Sequence, residues 1–119
     1  MGYGRKITGG KYKFFRKKKK FQNQPVQRKV KLRTTRKKTI RGIGGNKRTV
    51  LLSAEYANII DKNNKAKKAK ILNVIETPAD RFLARQNILV KSAIIETELG
   101  KARITNRPSQ EGQVNAILL

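Results

Sequence analysis

The first 54 residues contain no aspartate or glutamate, and this absence limits how the front of the chain can fold. Residues 1–50 carry 19 lysines and arginines, and no carboxylate of their own segment can offset the mutual repulsion of these charges. Residues 51–119 carry 11 cationic and all seven acidic residues, so their net charge is +4 (11 − 7) out of +23 for the whole chain. The uneven charge predicts a polyanionic partner, and nucleic acid is the most common polyanion in cells.

The composition excludes several classes of function. The chain of 119 residues has no cysteine and no histidine, which removes disulfides, zinc fingers, thiol chemistry and the usual general base. No apolar run approaches the roughly 18 residues of a membrane span. The basic N-terminus is not followed by the apolar stretch that a signal peptide requires. We therefore expect one intracellular domain with no cofactor, metal, membrane or small-molecule substrate.

Residues 1–25 combine cations, glycines and aromatic rings without a helical or strand period. The run Arg16–Lys20 holds five consecutive like charges, a pattern typical of segments that are disordered when free. Five rings are interleaved with the charges: Tyr3, Tyr12, Phe14, Phe15 and Phe21. Cations bind phosphates and rings stack on unpaired bases, so an extended RNA-binding tail is predicted. The charge run alone would equally suit a solvated tail or a nuclear-import signal.

Residues 26–119 contain short apolar runs that are typical of β-strands, some with alternating polar residues. The runs are RKVKLRT (28–34), KKTIRGI (37–43), RTVLLSAEYANII (48–60), AKKAKILNVIE (66–76), ILVKSAIIETELGKARITNRP (88–108) and QVNAILL (113–119). Closely spaced strands predict an all-β barrel or sandwich, and a barrel is favoured because closure would hide the edges of an Ile- and Leu-rich sheet. We expect a small closed β-barrel over residues 26–119 after an extended basic tail over residues 1–25.

One short helix is expected in TPADRFLARQN (77–87). Thr77 is the predicted N-cap, Pro78 the first helical residue and Asp80 the acid three residues after the cap. The helix would end near Asn87. Gly100–Lys101 is predicted to be a two-residue hairpin turn, and RPSQEG (107–112) a loop.

The glycine-rich segment RGIGGNKRTV (41–50) does not fit a nucleotide-binding loop. A P-loop requires glycine directly before the lysine and Ser or Thr after it, whereas Asn46 and Arg48 flank Lys47. The spacing also fails the dinucleotide fingerprint, and the segment lies between two strands. We predict a strand-to-strand turn with Gly44 and Gly45 at positive φ, from which Arg41, Lys47 and Arg48 contact phosphate.

Glu96 and Glu98 are the one candidate metal pair, because residues two apart on a strand share a face. A solvated strand face is the competing interpretation, with Lys101 and Arg103 as cross-strand partners. No nucleophile–base pair is present without histidine or cysteine, so catalysis is not expected.

The two ends of the chain resemble the S-eight-e family of small-subunit ribosomal proteins. The opening GYGRKITGGKYKFFRKKKKF contains the family's basic residue, Thr-Gly-Gly and spaced basic run; RGIGGNKR resembles its Arg-Gly-Gly-Asn-basic turn. AIIETELGKARITNRPSQEGQVNAILL (93–119) resembles its C-terminal block. The chain departs from the family at Phe21-Gln22-Asn23-Gln24-Pro25, where Glu-Leu-Gly is usual, and it lacks the long insertion of eukaryotic members.

The resemblance implies a structural constituent of the small ribosomal subunit in the cytoplasm. Its partners would be small-subunit ribosomal RNA and neighbouring ribosomal proteins. The candidate RNA-binding residues are Arg5, Lys6, Thr8, Gly9, Gly10, Lys11, Tyr12, Lys13, Phe14, Phe15, Arg16, Lys17, Lys18, Lys19, Lys20, Arg41, Gly44, Gly45, Asn46, Lys47, Arg48, Lys101, Arg103 and Arg107. A ribosome-assembly factor of the same family and a histone-like DNA-packaging protein are the alternatives.

Overall fold

The computed structural model describes residues 4–13, 16–24 and 27–119. It contains eight strands and two short helices within these ranges. In chain order they are β1 (Lys31–Leu32), β2 (Arg36–Arg41), β3 (Lys47–Ala54), β4 (Tyr56–Ile60), β5 (Ala66–Glu76), α1 (Arg81–Arg85), β6 (Ile94–Thr97), β7 (Gly100–Ile104), α2 (Pro108–Glu111) and β8 (Asn115–Leu118).

Five strands form a closed barrel in the order β4-β5-β6-β7-β8. Neighbours along the chain pair antiparallel, and the parallel pairing of β8 with β4 closes the barrel. Asn58 lies opposite Asn115 in this closing pair, and the Asn58 side-chain amide donates a hydrogen bond to Asn115 Oδ1 at 3.2 Å. The prediction of a small all-β barrel is confirmed.

The barrel is filled by side chains of two sizes. Alanines line the interior on four of the five strands at Ala57, Ala69, Ala102 and Ala116, all of them buried. Isoleucines occupy neighbouring inward positions at Ile59, Ile71, Ile95 and Ile104. A small barrel has a narrow interior, and alternating small and large residues fill it. The interior is therefore packed core, and binding must use the outer surface.

The remaining strands form a separate three-stranded sheet in the order β1-β3-β2. The single residue Glu55 separates β3 from β4 within the continuous run RTVLLSAEYANII. The Glu55 carboxylate pairs with Lys70 at 3.3 Å, and its carbonyl accepts a hydrogen bond from Ile71 N–H. The chain therefore leaves the small sheet and enters the barrel at Glu55, so the barrel takes up less of residues 26–119 than expected.

The predicted start of the helix is wrong. The N-cap of α1 is Asp80, whose side chain accepts a hydrogen bond from Phe82 N–H at 2.9 Å. Thr77 and Asp80 instead close a turn, in which Asp80 N–H donates to the Thr77 carbonyl at 3.1 Å. Thr77 is buried directly after β5, and its hydroxyl oxygen has no hydrogen-bond partner among the described residues, so it caps no helix. The helix ends at Arg85, close to the expected Asn87.

Two further local predictions are wrong. The hairpin loop between β6 and β7 consists of Glu98 and Leu99, because Gly100 already pairs with Thr97. Gly100 has φ 120°, a conformation that only glycine adopts readily, so the glycine follows the loop instead of forming it. The RPSQEG segment contains the short helix α2, a second helix beyond the one predicted.

The described part of the tail contains a small hairpin turn near its start. Arg5 pairs with Lys11, and Lys6 N–H donates to the Gly10 carbonyl at 2.9 Å. Gly9 lies at φ 80°, and its N–H donates to the Lys6 carbonyl. A tight turn followed by a glycine at positive φ is a common hairpin loop, which explains the Thr-Gly-Gly sequence. No helix among the described residues is long and apolar enough to cross a membrane.

We predict that residues 26–119 fold without residues 1–25. The core cluster runs from Val30 to Ala116 and includes none of the described tail residues, which are exposed wherever the structure describes their burial. Amide exchange on the fragment should show protection in β4 to β8 equal to that in the full chain. General loss of protection in the fragment, with the full chain as control, would show that the tail belongs to the core.

Candidate nucleic-acid interface

The turn between β2 and β3 is closed by its own backbone. Gly42 N–H donates to the Asn46 carbonyl at 2.6 Å, and the Asn46 side-chain amide donates to the Ile43 carbonyl at 3.2 Å. Gly44 and Gly45 lie at φ 70° and 80°, which confirms the predicted positive φ at both. The turn leads into strand β3 and not into a helix, so no helix N-terminus is available for a nucleotide phosphate.

The cations of this turn have different surroundings. Arg41 and Lys47 are paired across the hairpin, and both are exposed next to the glycines. Arg48 lies across from Ile40, and its guanidinium reaches α2: Nε donates to the Gln110 carbonyl at 3.1 Å and Nη2 to Gln110 Oε1 at 3.4 Å. Arg48 therefore does not project from the bend alongside Arg41 and Lys47; it joins β3 to α2.

Helix α2 is closed at its start by its own side chains and approaches β3 at its end. The Glu111 carboxylate accepts hydrogen bonds from Arg107 N–H at 3.3 Å and from the Asn106 side-chain amide at 3.1 Å. Gly112 ends the helix at φ 73°, and a Cβ built there would lie 3.2 Å from the Thr49 carbonyl oxygen. Glycine is needed at this position for both its conformation and its size. No pattern in the sequence indicated this role of Gly112.

The described tail residues present cations and rings to solvent. The Thr8, Gly9 and Gly10 backbone forms the hairpin turn around which Arg5, Lys6 and Lys11 are exposed. Lys6 Nζ lies 5.7 Å from the Tyr12 ring centre, and Tyr12 is 53% exposed.

The rest of the tail continues in the same way. Lys13, Arg16 and Lys17 to Lys19 are exposed, and Lys20 begins a short 3-10 turn, Lys20–Gln22. Lys19 Nζ lies 5.9 Å from the ring centre of Phe21, which is also exposed. Cations within about 6 Å of a ring face are attracted to it. Phe14 and Phe15 lie outside the described residues.

The three C-terminal candidates lie on the barrel and its nearby helix. Lys101 is exposed on β7 opposite Glu96, and Arg103 is exposed on β7 between Ile94 and Ile117. Arg107 precedes α2 and is exposed. The register places Glu96 beside Lys101, as the solvated-face interpretation predicted. Within the described residues, no three acidic side chains come close enough to hold a metal.

The structure also brings together cations that the sequence analysis did not select. Arg28 and Lys29 lie just after the tail, and they share with Arg48 the lining of a cleft of about 770 Å³. Ion pairs occur on the barrel side of the molecule, where Asp61 binds Lys67 at 2.8 Å and Glu55 binds Lys70 at 3.3 Å. The acidic residues thus neutralise part of the barrel and leave the N-terminal half cationic.

These features define a small basic β-barrel protein with exposed cations suited to a polyanion. The family model described as ribosomal protein S8e matches residues 3–119, and the chain belongs to this family. It is therefore a ribosomal protein, a structural component of the ribosome and not an enzyme.

Individual relatives agree over nearly the whole chain. The small ribosomal subunit protein eS8 of Sulfurisphaera tokodaii is 50% identical, and that of Methanococcus aeolicus is 48% identical. The same protein of Sulfolobus acidocaldarius is 46% identical. Each alignment covers 97% of this chain and 91% of the relative, so the similarity includes both the tail and the barrel.

Proposed function

We propose that this chain is a constituent of the small ribosomal subunit that binds small-subunit ribosomal RNA. Residues 1–25 act as an extended RNA-binding tail, and residues 26–119 form a barrel domain whose basic loops add further contacts. The neighbouring ribosomal proteins are its other partners, and it acts in the cytoplasm within the ribosome. The relatives are named as proteins of that subunit.

The separation of charge is the observation that carries the RNA-binding part of the proposal. All carboxylates lie in residues 55–119, where two of them form ion pairs with barrel lysines. Cations contribute to affinity for nucleic acid by releasing counterions from its phosphates. Because the acidic residues are confined to one part of the chain, the cations of the other part can bind RNA phosphates without competition from the chain's own carboxylates.

The exposed rings favour RNA over a DNA duplex. Tyr12 and Phe21 are exposed beside lysines, where a splayed base can stack on the ring while the ammonium binds its phosphate. Stacking of this kind needs unpaired bases, which folded ribosomal RNA supplies in loops and bulges and a DNA duplex does not.

Gradient sedimentation of cell lysate tests the proposal. The tagged chain should sediment with mature small subunits and stay there after a high-salt wash, and a labelled transcript of small-subunit ribosomal RNA should outcompete duplex DNA at one fixed salt concentration. Release by the wash, or presence only on immature particles, would favour an assembly factor. Preference for duplex DNA would favour a packaging protein.

A further inference from the structure

The cleft between the small sheet and the two helices has an apolar floor. Val50 of β3 and Ile88 after α1 are almost fully buried at its base, at 1% and 0% exposure. Ile40 of β2, Leu83 of α1 and Val90 are half-buried along its walls. The volume of about 770 Å³ is within the range of small-molecule sites, roughly 300–1,000 Å³. Ile40, Leu83 and Val90 therefore supply the accessible apolar surface that the cleft offers to a flat aromatic group, above the closed base of Val50 and Ile88.

The rim of the cleft is cationic. Arg28, Lys29 and Arg48 line it, and no carboxylate is among the lining residues. Ser109 and Gln110 of α2 add polar groups at the same edge. A ligand that fits both floor and rim combines an apolar ring, hydrogen-bonding edges and negative charge.

Arg48 is held in a fixed orientation in this cleft. Its bonds to Gln110 use Nε and Nη2, and hydrogen bonds of a guanidinium lie in its plane. They leave the faces of the plane available, and guanidinium faces stack on nucleobases. The guanidinium is thus oriented before any ligand arrives, which lowers the entropy cost of binding.

We propose that the cleft binds one unpaired nucleotide of ribosomal RNA, with its base on the apolar floor and Arg48 and its phosphates at Arg28 and Lys29. This inference rests on the proposed function. The charge of the lining selects RNA over an apolar protein segment, because such a segment would offer no anion to Arg28, Lys29 and Arg48. The position of the cleft is consistent with RNA binding, because it lies between two other candidate RNA contacts. Arg28 and Lys29 follow the tail, and Gly42 and Arg48 flank the glycine turn.

A substitution that fills the cleft tests the proposal directly. Ser109 is half-buried in the lining, so Ser109→Trp should occupy the space of the base. We expect affinity for a full-length transcript of small-subunit ribosomal RNA to fall roughly fivefold or more, the loss expected for one stacked base. The salt dependence should change little, because only the base is displaced and the exposed Arg28 and Lys29 still reach the backbone phosphates. Asn63→Trp, in the exposed turn between β4 and β5, is the control and should leave affinity unchanged.

Probing of the RNA 2′-hydroxyls identifies the nucleotide. At least one unpaired position should be protected by the parent and by Asn63→Trp, and become reactive with Ser109→Trp. Equal affinity and equal protection for all three proteins would overturn the cleft proposal alone. If Ser109→Trp blocks only incorporation into the subunit, the cleft binds a protein and the proposal is also wrong. If the parent itself does not bind the transcript, the proposed function fails.

A second pair of variants keeps the test valid if Ser109→Trp does not fold. Arg28→Gln with Lys29→Gln should flatten the slope of log affinity against log salt by about 1.4–1.8, because each lost phosphate contact removes about 0.7–0.9. Lys62→Gln with Lys65→Gln removes the same charge from the turn between β4 and β5 and should leave the slope unchanged. Equal slopes for the two double variants would overturn the proposal.

Discussion

Deletion of residues 1–20 should flatten the slope of log RNA affinity against log salt by about 3–4. The deleted segment contains nine cations: Arg5, Lys6, Lys11, Lys13, Arg16, Lys17, Lys18, Lys19 and Lys20. If about half of them contact phosphates, each contact contributes about 0.7–0.9 to the slope. Across a change from 50 to 200 mM salt, the full chain should lose roughly 100-fold more affinity than the truncated chain. Filter binding to the same transcript over a salt series measures both slopes.

The aromatic residues of the tail should act independently of salt. Replacing Tyr12, Phe14 and Phe15 with alanine should weaken binding by roughly 1–3 kcal/mol for each ring that stacks on a base. The slope should hardly change, because the substitution removes no cation. A pure import signal would change neither quantity on isolated RNA. Equal slopes for the full-length and truncated proteins would therefore contradict the role of the tail, whatever the segment does in cells.

The strands could be predicted from the sequence because each one carries its own signal. Ala66–Glu76 forms a single strand, as the run AKKAKILNVIE predicts. The positive φ of Gly44 and Gly45 could be predicted because adjacent glycines between two strands mark a turn, and glycine adopts positive φ without steric cost. The division of the strands into a barrel and a separate sheet could not be predicted. The chain passes from the sheet to the barrel at Glu55. This position is fixed by contacts of Glu55 with Thr35 and Lys70, which are distant in sequence.

The errors at helix and hairpin ends have one physical cause. Thr77 and Asp80 are both good N-cap residues, so local chemistry does not choose between them. The packing of the barrel decides between them, because Thr77 is buried after β5 and Asp80 is therefore the N-cap. In the same way, the pairing of Glu96 with Lys101 sets the register of β6 with β7 and places the turn at Glu98 and Leu99, two residues before the predicted position.

The candidate site also has parts that the sequence predicts and a part that only the fold creates. The exposed tail and the glycine turn are continuous segments, so the sequence identifies them. The cleft is not continuous: its lining comes from segments between Gln27 and Gln110. No local pattern links Arg28 to Arg48 or to Gln110, and only the packing of α2 on β3 brings them together. This packing can be tested at one glycine.

Gly112→Ala should destabilise the protein more than Gly44→Ala, although both glycines have nearly the same φ. Their φ values are 73° and 70°, so an alanine costs each position roughly 1–2 kcal/mol for left-handed geometry. A Cβ at Gly44 meets nothing within 4 Å, whereas at Gly112 it lies 3.2 Å from Thr49 O and 3.4 Å from Thr49 Cγ2. Crowding in a packed site adds about 1–3 kcal/mol. We expect losses in unfolding free energy of about 1–2 kcal/mol for Gly44→Ala and about 2–5 kcal/mol for Gly112→Ala.

Urea denaturation measures the two losses, and RNA probing measures the consequence for the cleft. Gly112→Ala displaces α2 from β3, and Gln110 then no longer holds the Arg48 guanidinium in place. The Gly112 variant should therefore lose protection of the cleft nucleotide under conditions in which it remains folded, while the Gly44 variant keeps it. The tail is untouched in both variants, so their salt slopes should match that of the parent. Equal destabilisation by the two substitutions would mean that α2 does not pack tightly on β3, and that Arg48 is not fixed by Gln110.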